Sequence, residues 1–226
     1  MKRAEHAARI AGLDCIAVGD LPPRAVVVLL HGRLMRAADL APFAHSLDLE
    51  ATFVFPDAPM PDGRGFSWWL SDAEERARRG GPIDLFALDP PGRAEARDRL
   101  RLLCEEVARD VPLALVGFSQ GGMLAMDHLL HGGRADALAL LSSSRIAFDD
   151  WRPRLDRLAR LPVLIAHGDQ DRELPLAAGI ALRDAAAAGG AEVEWLEFEG
   201  GHVIPLVVWR ALRRFLRRSG FDPARA

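Results

Sequence analysis

The chain has 226 residues, 50% of them hydrophobic and 27% charged, with a net charge of −3 and an isoelectric point near 6.2. That size suits one domain with a single core, and the slightly acidic balance excludes a protein that holds nucleic acid or anionic membrane through bulk positive charge. No apolar run reaches the roughly 18 residues needed to cross a bilayer, and no N-terminal stretch has the parts of a signal peptide, so the expectation is a cytoplasmic protein with no integral-membrane segment. Positive charge is almost all arginine, Lys2 being the only lysine, which is a compositional bias and not a functional signal.

In chain order, short apolar runs alternate with longer segments of helical period, the pattern of an α/β fold with a mostly parallel sheet flanked by helices on both faces. Residues 9–18 suggest an antiparallel edge strand, and 25–30 a buried one. A helix is expected over 37–47 and a strand over 51–55. Residues 56–91 break the alternation with prolines, glycines, Phe66, Trp68, Trp69 and a charged stretch from Asp72 to Arg79. This reads as a short cap-like insertion in one domain that spans 1–226. Further helices are expected over 93–109, 119–131, 176–188 and 205–218, and strands over 113–117, 137–141, 163–167 and 192–197. In the last helix Val208, Leu212, Phe215 and Leu216 share one face, while Arg213, Arg214, Arg217 and Arg218 read as a solvated face at the favourable end of the helix dipole. Cys15 and Cys104 sit in apolar surroundings and read as buried free thiols.

The chemistry concentrates in Gly117-Phe118-Ser119-Gln120-Gly121, a G-x-S-x-G pentapeptide between a strand and a helix. That context is the one a nucleophile elbow requires, since a sharp strand-to-helix turn leaves no room for side chains beside the serine. A serine hydroxyl needs a base to take its proton, and the base needs a partner that fixes its tautomer. Of the histidines after Ser119, His128 and His131 lie on the helix that starts there, and His167 ends a strand ahead of the acids. His202, in the loop Glu199-Gly200-Gly201-His202, has the position and order of a general base. Asp169 and Asp171 both follow the 163–167 strand. The spacing His167-Gly168-x-x-Asp171-x-x-x-Pro175 favours Asp171 as the acid and leaves Asp169 to brace the loop through Asx-type hydrogen bonds. For the oxyanion hole, the backbone N–H of Gln120 is one expected donor. The N–H of Arg33, after His31-Gly32 at the end of an early strand, is the other, with Leu34 as the fallback and His31 as a loop stabiliser. Phe66, Trp68, Trp69 and Phe118 are candidate contacts for an apolar acyl or alcohol group, or alternatively simple packing.

Taken together, L-H-G-R, G-F-S-Q-G-G, H-G-D-Q-D and G-G-H resemble the phospholipase/carboxylesterase family of α/β-hydrolases, which includes acyl-protein thioesterases and small bacterial carboxylesterases. The resemblance runs from about residue 25 to 216. Pro56-Asp57-Ala58-Pro59 and Gly65-Phe66-Ser67-Trp68-Trp69 are similar to the family's P-x-A-P and G-x-x-W-[FY]-D segments. It implies an α/β-hydrolase fold, hydrolysis of a small-molecule carboxylic ester or thioester by Ser119, Asp171 and His202, no metal or cofactor, and homodimers in some members. Leu70 stands where the family usually has Asp, and Arg33-Leu34-Met35 replaces a common small residue. These departures bear on which substrate is taken: a simple ester, or the acylated protein or lysophospholipid of related enzymes. A catalytically silent binder on the same fold is the remaining reading.

Overall fold

The computed structural model describes residues 4–70 and 88–222. They form an eight-stranded sheet in the order β1-β2-β4-β3-β7-β8-β9-β10. β1 (Glu5–Ile10) and β2 (Leu13–Val18) make an antiparallel hairpin, and β2 also runs antiparallel to β4 (Thr52–Pro56). From β4 onward every neighbour is parallel: β3 (Val26–Leu30), β7 (Leu113–Phe118), β8 (Ala137–Leu141), β9 (Pro162–Gly168) and β10 (Glu192–Phe198). The expected edge strand is thus two strands, because Ala11 and Gly12 both take positive φ (49° and 79°) and reverse the chain between them.

The central strands are apolar along their whole length because both sheet faces are covered. On one face Val26, Val28, Leu30, Leu113 and Leu115 pack against α3 (Arg93–Val107), α4 (Gln120–Leu130) and α6 (Leu176–Ala188). On the other, Val27, Leu29, Phe53, Ala114 and Val116 meet α1 (Ala37–Leu40), α2 (Phe43–Leu47) and α7 (Leu206–Arg218). The helix expected over 37–47 is split into α1 and α2 around Ala41 and Pro42, since Pro42 has no N–H to continue the ladder. After β8 the chain makes α5 (Phe148–Trp151) and a 3₁₀ turn (Arg152–Leu158), both too short to announce themselves by periodicity.

Residues 60–67 form a small hairpin, β5 (Met60–Asp62) with β6 (Gly65–Ser67). It docks on the loop after β3: Met35 bridges Phe66, the Phe66 N–H donates to the Met35 carbonyl at 2.9 Å, and the Arg36 guanidinium lies 5.3 Å from the Phe66 ring centre. A side chain on Gly65 would sit 2.2 Å from the Leu34 carbonyl oxygen, so only glycine allows that approach. The rest of the expected cap, 71–87 with its charged stretch, lies outside the described residues. Cys15 and Cys104 are both buried free thiols, each pushed up to about 12 by burial. Among the described residues no helix is long and apolar enough to cross a membrane.

Candidate active site

Ser119 joins β7 to α4 with φ 53° and ψ −118°, a conformation that a side-chain-bearing residue holds only when its surroundings enforce it. The enforcement is steric. A Cβ on Gly117 would lie 2.4 Å from the Gly121 backbone, and one on Gly121 would lie 2.4 Å from the Leu30 carbonyl oxygen. The Ser119 carbonyl accepts the N–H groups of Gly122 (3.0 Å) and Met123 (3.2 Å) and the Ser143 hydroxyl (3.0 Å). Ser119 itself is half-buried at the C-terminal edge of the sheet.

Two strand-end loops supply the acid and the histidine. Asp171, 6% exposed, receives the His202 Nδ1–H on Oδ2 at 2.7 Å, while its Oδ1 accepts the Glu173 and Leu174 amides at 2.9 Å each. Burial alone would raise this carboxyl's pKa. The His202 hydrogen bond and the Leu174 and Glu173 amides outweigh burial and hold it below the usual carboxylate value. A carboxylate only accepts, so Nδ1 of His202 carries a proton and Nε2 is the nitrogen left to take one. The imidazole lies against Phe118, the residue before Ser119, with ring centres 4.9 Å apart. Asp169 braces the neighbouring loop instead of its own, its Oδ1 accepting the Gly200 N–H at 2.9 Å. The Asx-type turn expected of Asp169 is made by Asp171.

At the head of the β3 loop, His31 is fully buried, and desolvation lowers its pKa against the opposing pull of its hydrogen bond to Gly32. Its Nε2 accepts the Ala58 N–H at 3.0 Å, so Nδ1 is the donor to the Gly32 carbonyl at 2.7 Å. The Leu34 N–H already reaches Ser67 Oγ at 3.4 Å, which weakens Leu34 as the fallback donor. Gln120 is the first residue of α4, so its amide has no carbonyl one turn earlier in the helix to donate to.

A model of the family described as phospholipase/carboxylesterase matches residues 103–219, just over half of the chain. The chain belongs to the phospholipase/carboxylesterase family. Membership makes it a hydrolase of that type. No curated protein sequence matches significantly. Among solved structures, TT1662 from Thermus thermophilus is similar at 19% identity and a TM-score of 0.77, covering 97% of this chain and 98% of its own. Acyl-protein thioesterase 2 of Zea mays follows at 19% and 0.75, covering 91% and 98%. A carboxylesterase from Mesorhizobium loti is similar at 20% and 0.73, covering 94% and 98%. At such identities the likeness shows the shared α/β-hydrolase fold.

Within this family member the aromatic candidates separate. Phe118 adjoins His202, and Phe66 sits on the docked hairpin. Trp68 and Trp69, 1% and 3% exposed, belong to the core and do not line an open surface. Two apolar side chains not expected as contacts are exposed beside site residues: Leu34, named from sequence only for its backbone N–H, at 44%, and Val203, next to His202, at 51%. No periodicity marks them; their only signal was adjacency to a site residue in a loop.

Asp127, His131 and Asp150 bring ligand-type atoms within 4.8 Å of one another. The Asp127 oxygens are already engaged by Arg93, by Arg97 at 3.1 Å and by the Trp151 indole N–H at 2.7 Å. Those bonds make the group a salt-linked knot in which Asp127 is held by two guanidinium groups and an indole.

Proposed function

We propose that the protein is a single-domain serine carboxylesterase that works through an acyl-enzyme intermediate. The observation that carries this reading is the 2.7 Å bond between Asp171 and His202, two residues 31 apart in sequence, with the imidazole against Phe118, the residue before a serine held in an elbow conformation. His202 Nε2 removes the proton from Ser119 as its oxygen attacks the ester carbonyl. Asp171 fixes the tautomer and stabilises the imidazolium that forms. The amides of Arg33 and Gln120 receive the oxyanion, each worth about 2.7–4 kcal/mol of barrier. His202 then protonates the departing alcohol, activates water, and the acyl-enzyme is hydrolysed back to free Ser119 and a carboxylic acid. None of these steps calls for a metal or an organic cofactor. Leu34, Val203 and Phe118 suit an apolar substituent near the reacting carbon.

The test is hydrolysis of short-chain aryl esters together with labelling by a fluorophosphonate. Ser119→Ala should lower kcat by about 10⁶-fold and abolish labelling; unchanged turnover in that variant would sink the mechanism. The second reading, a thioesterase or lysophospholipase, draws on the maize neighbour's name. A panel of esters, thioesters and lysophospholipids of graded chain length, compared by kcat/KM, decides between the two.

A further inference from the structure

Trp68 is bonded to both sides of the oxyanion site. Its backbone N–H donates to the Gln120 side-chain oxygen at 2.9 Å, and the Gln120 side-chain nitrogen returns a 2.9 Å bond to the Trp69 carbonyl. Its indole N–H donates to the His31 carbonyl at 2.9 Å, with the His31 and Trp68 ring centres 5.4 Å apart. Gln120 carries one of the two proposed donor amides. His31 controls the other, because its Nδ1–H holds the Gly32 carbonyl. The Gly32–Arg33 peptide is planar and trans, so fixing that carbonyl turns the Arg33 N–H to the opposite side.

We propose that Trp68 is a positioning residue that sets the separation of the two oxyanion donors. This rests on the serine-esterase reading above. This one residue links the nucleophile helix to the β3 loop: its backbone N–H is bonded to the Gln120 side chain and its rigid, buried indole to the His31 carbonyl, each by a hydrogen bond of ordinary length. A donor pair stabilises an oxyanion only at the spacing the tetrahedral oxygen requires, so an error of a few tenths of an ångström acts on the transition state and not on ground-state binding. The family-like W-W pair in a Pro- and Gly-rich stretch is therefore a strut beneath the catalytic surface, and the hairpin before it is the arm that carries the strut.

The experiment uses Trp68→Phe, which keeps an aromatic ring and the backbone bond but removes the pyrrole half of the indole with its N–H, beside Gln120→Met, which keeps the donor amide and the side-chain length and deletes the side-chain clamp without touching the indole. Activity is normalised to sites titrated by a fluorophosphonate run to completion, so that misfolded protein does not count. Expected is a fall in kcat per titrated site of about 10- to 100-fold with KM within about twofold. Affinity for a trifluoromethyl ketone, which forms a tetrahedral adduct, should fall in parallel with kcat/KM. If either variant fails to fold, the other decides. A kcat per titrated site within twofold of wild type, with any lost activity matched by lost sites, would mean a packing role only and overturn the proposal. Wild-type protein that neither hydrolyses the ester nor takes the label would overturn the esterase reading and this inference with it.

Discussion

The two ends of α4 are fastened by different physics. At the N-terminal end, Ser119 and Gln120 are fixed by backbone contacts at Gly117 and Gly121 and by neutral hydrogen bonds through Trp68. At the C-terminal end, fully buried Asp127 meets the guanidinium groups of Arg93 and Arg97, and His131 bridges the Asp127 carbonyl (2.8 Å) to the Asp150 carboxylate (3.0 Å). Neutral, close-packed contacts hold atoms to a fixed geometry with little stray field on a reacting carbonyl. Buried charge pairs are costly to desolvate, so losing one partner is expensive. The difference divides the labour: the first end should govern rate at nearly constant stability, and the second stability at nearly constant rate.

Among variants that keep the nucleophile, the largest effect expected belongs to the acid that faces the catalytic end of the helix. Asp171→Asn keeps an oxygen for the Glu173 and Leu174 amides but removes the charge opposite His202, and the amide no longer enforces the Nδ1–H tautomer. Turnover of an aryl ester should fall by about 10⁴-fold while the melting temperature moves by only a few degrees. A loss of turnover under tenfold would show that Asp171 is not the acid.

The converse variant is Asp127→Ala. It strands Arg97 and takes from Arg93 one of three carboxylates, Asp89, Asp127 and Asp150, that surround it. Denaturant unfolding should show a loss of about 3–5 kcal/mol, with kcat per titrated site unchanged. A drop in per-site turnover would break the division of labour, because charge at the far end would then be shaping the elbow.

Legibility in the sequence follows the same division. The central strands are readable because they are short, continuously apolar runs bounded by turn residues, as a sheet covered on both faces requires, whereas the edge stretch 9–18 has no such run and is two strands. The pairing of Asp171 with His202 is readable because chain order and loop position restrict the choice, and the structure brings Asp171 and not Asp169 to His202. What sequence could not give was any assignment decided by partners about 50 residues away. Trp68 and Trp69 resemble exposed loop aromatics until their bonds to Gln120 and His31 are seen. The hairpin over 60–67 has short, polar strands whose register is set by docking on Met35 and by the crowding at Gly65. The helix expected over 37–47 had the right period, but Pro42 divided it.

His128 offers a smaller, pH-dependent test at the stabilising end. The imidazole is 2% exposed, and burial lowers its pKa to about 4; Asp127 and Glu105 oppose that shift and Arg101 and Arg97 add to it. Unfolded, it titrates near 6.5, so between about 6.5 and 4 the unfolded chain binds the extra proton and stability is lost as pH falls. The full loss is about 3 kcal/mol on the order-of-magnitude scale of such shifts. His128→Leu should remove this component, so urea unfolding at pH 7 and pH 5 should differ less for the variant than for wild type. An equal pH slope in both proteins would assign the acid sensitivity elsewhere.

The smallest effect sharpens the boundary between the two ends. Ser143 donates to the Ser119 carbonyl at 3.0 Å, the one side-chain hydrogen bond on a carbonyl that also takes two amides. A Cβ on Gly122 would lie 2.7 Å from the Ser143 hydroxyl oxygen, so this hydroxyl is wedged against the elbow as well as bonded to it. Ser143→Ala removes one neutral hydrogen bond, about 1 kcal/mol, and should lower the melting temperature by about 2–4 °C. Since the contact bears directly on the strained residue, turnover per titrated site should also fall, by about three- to tenfold. A lowered melting temperature with unchanged turnover would mean that the glycines alone hold the nucleophile, and that the hydroxyl belongs with the stabilising contacts farther down the helix.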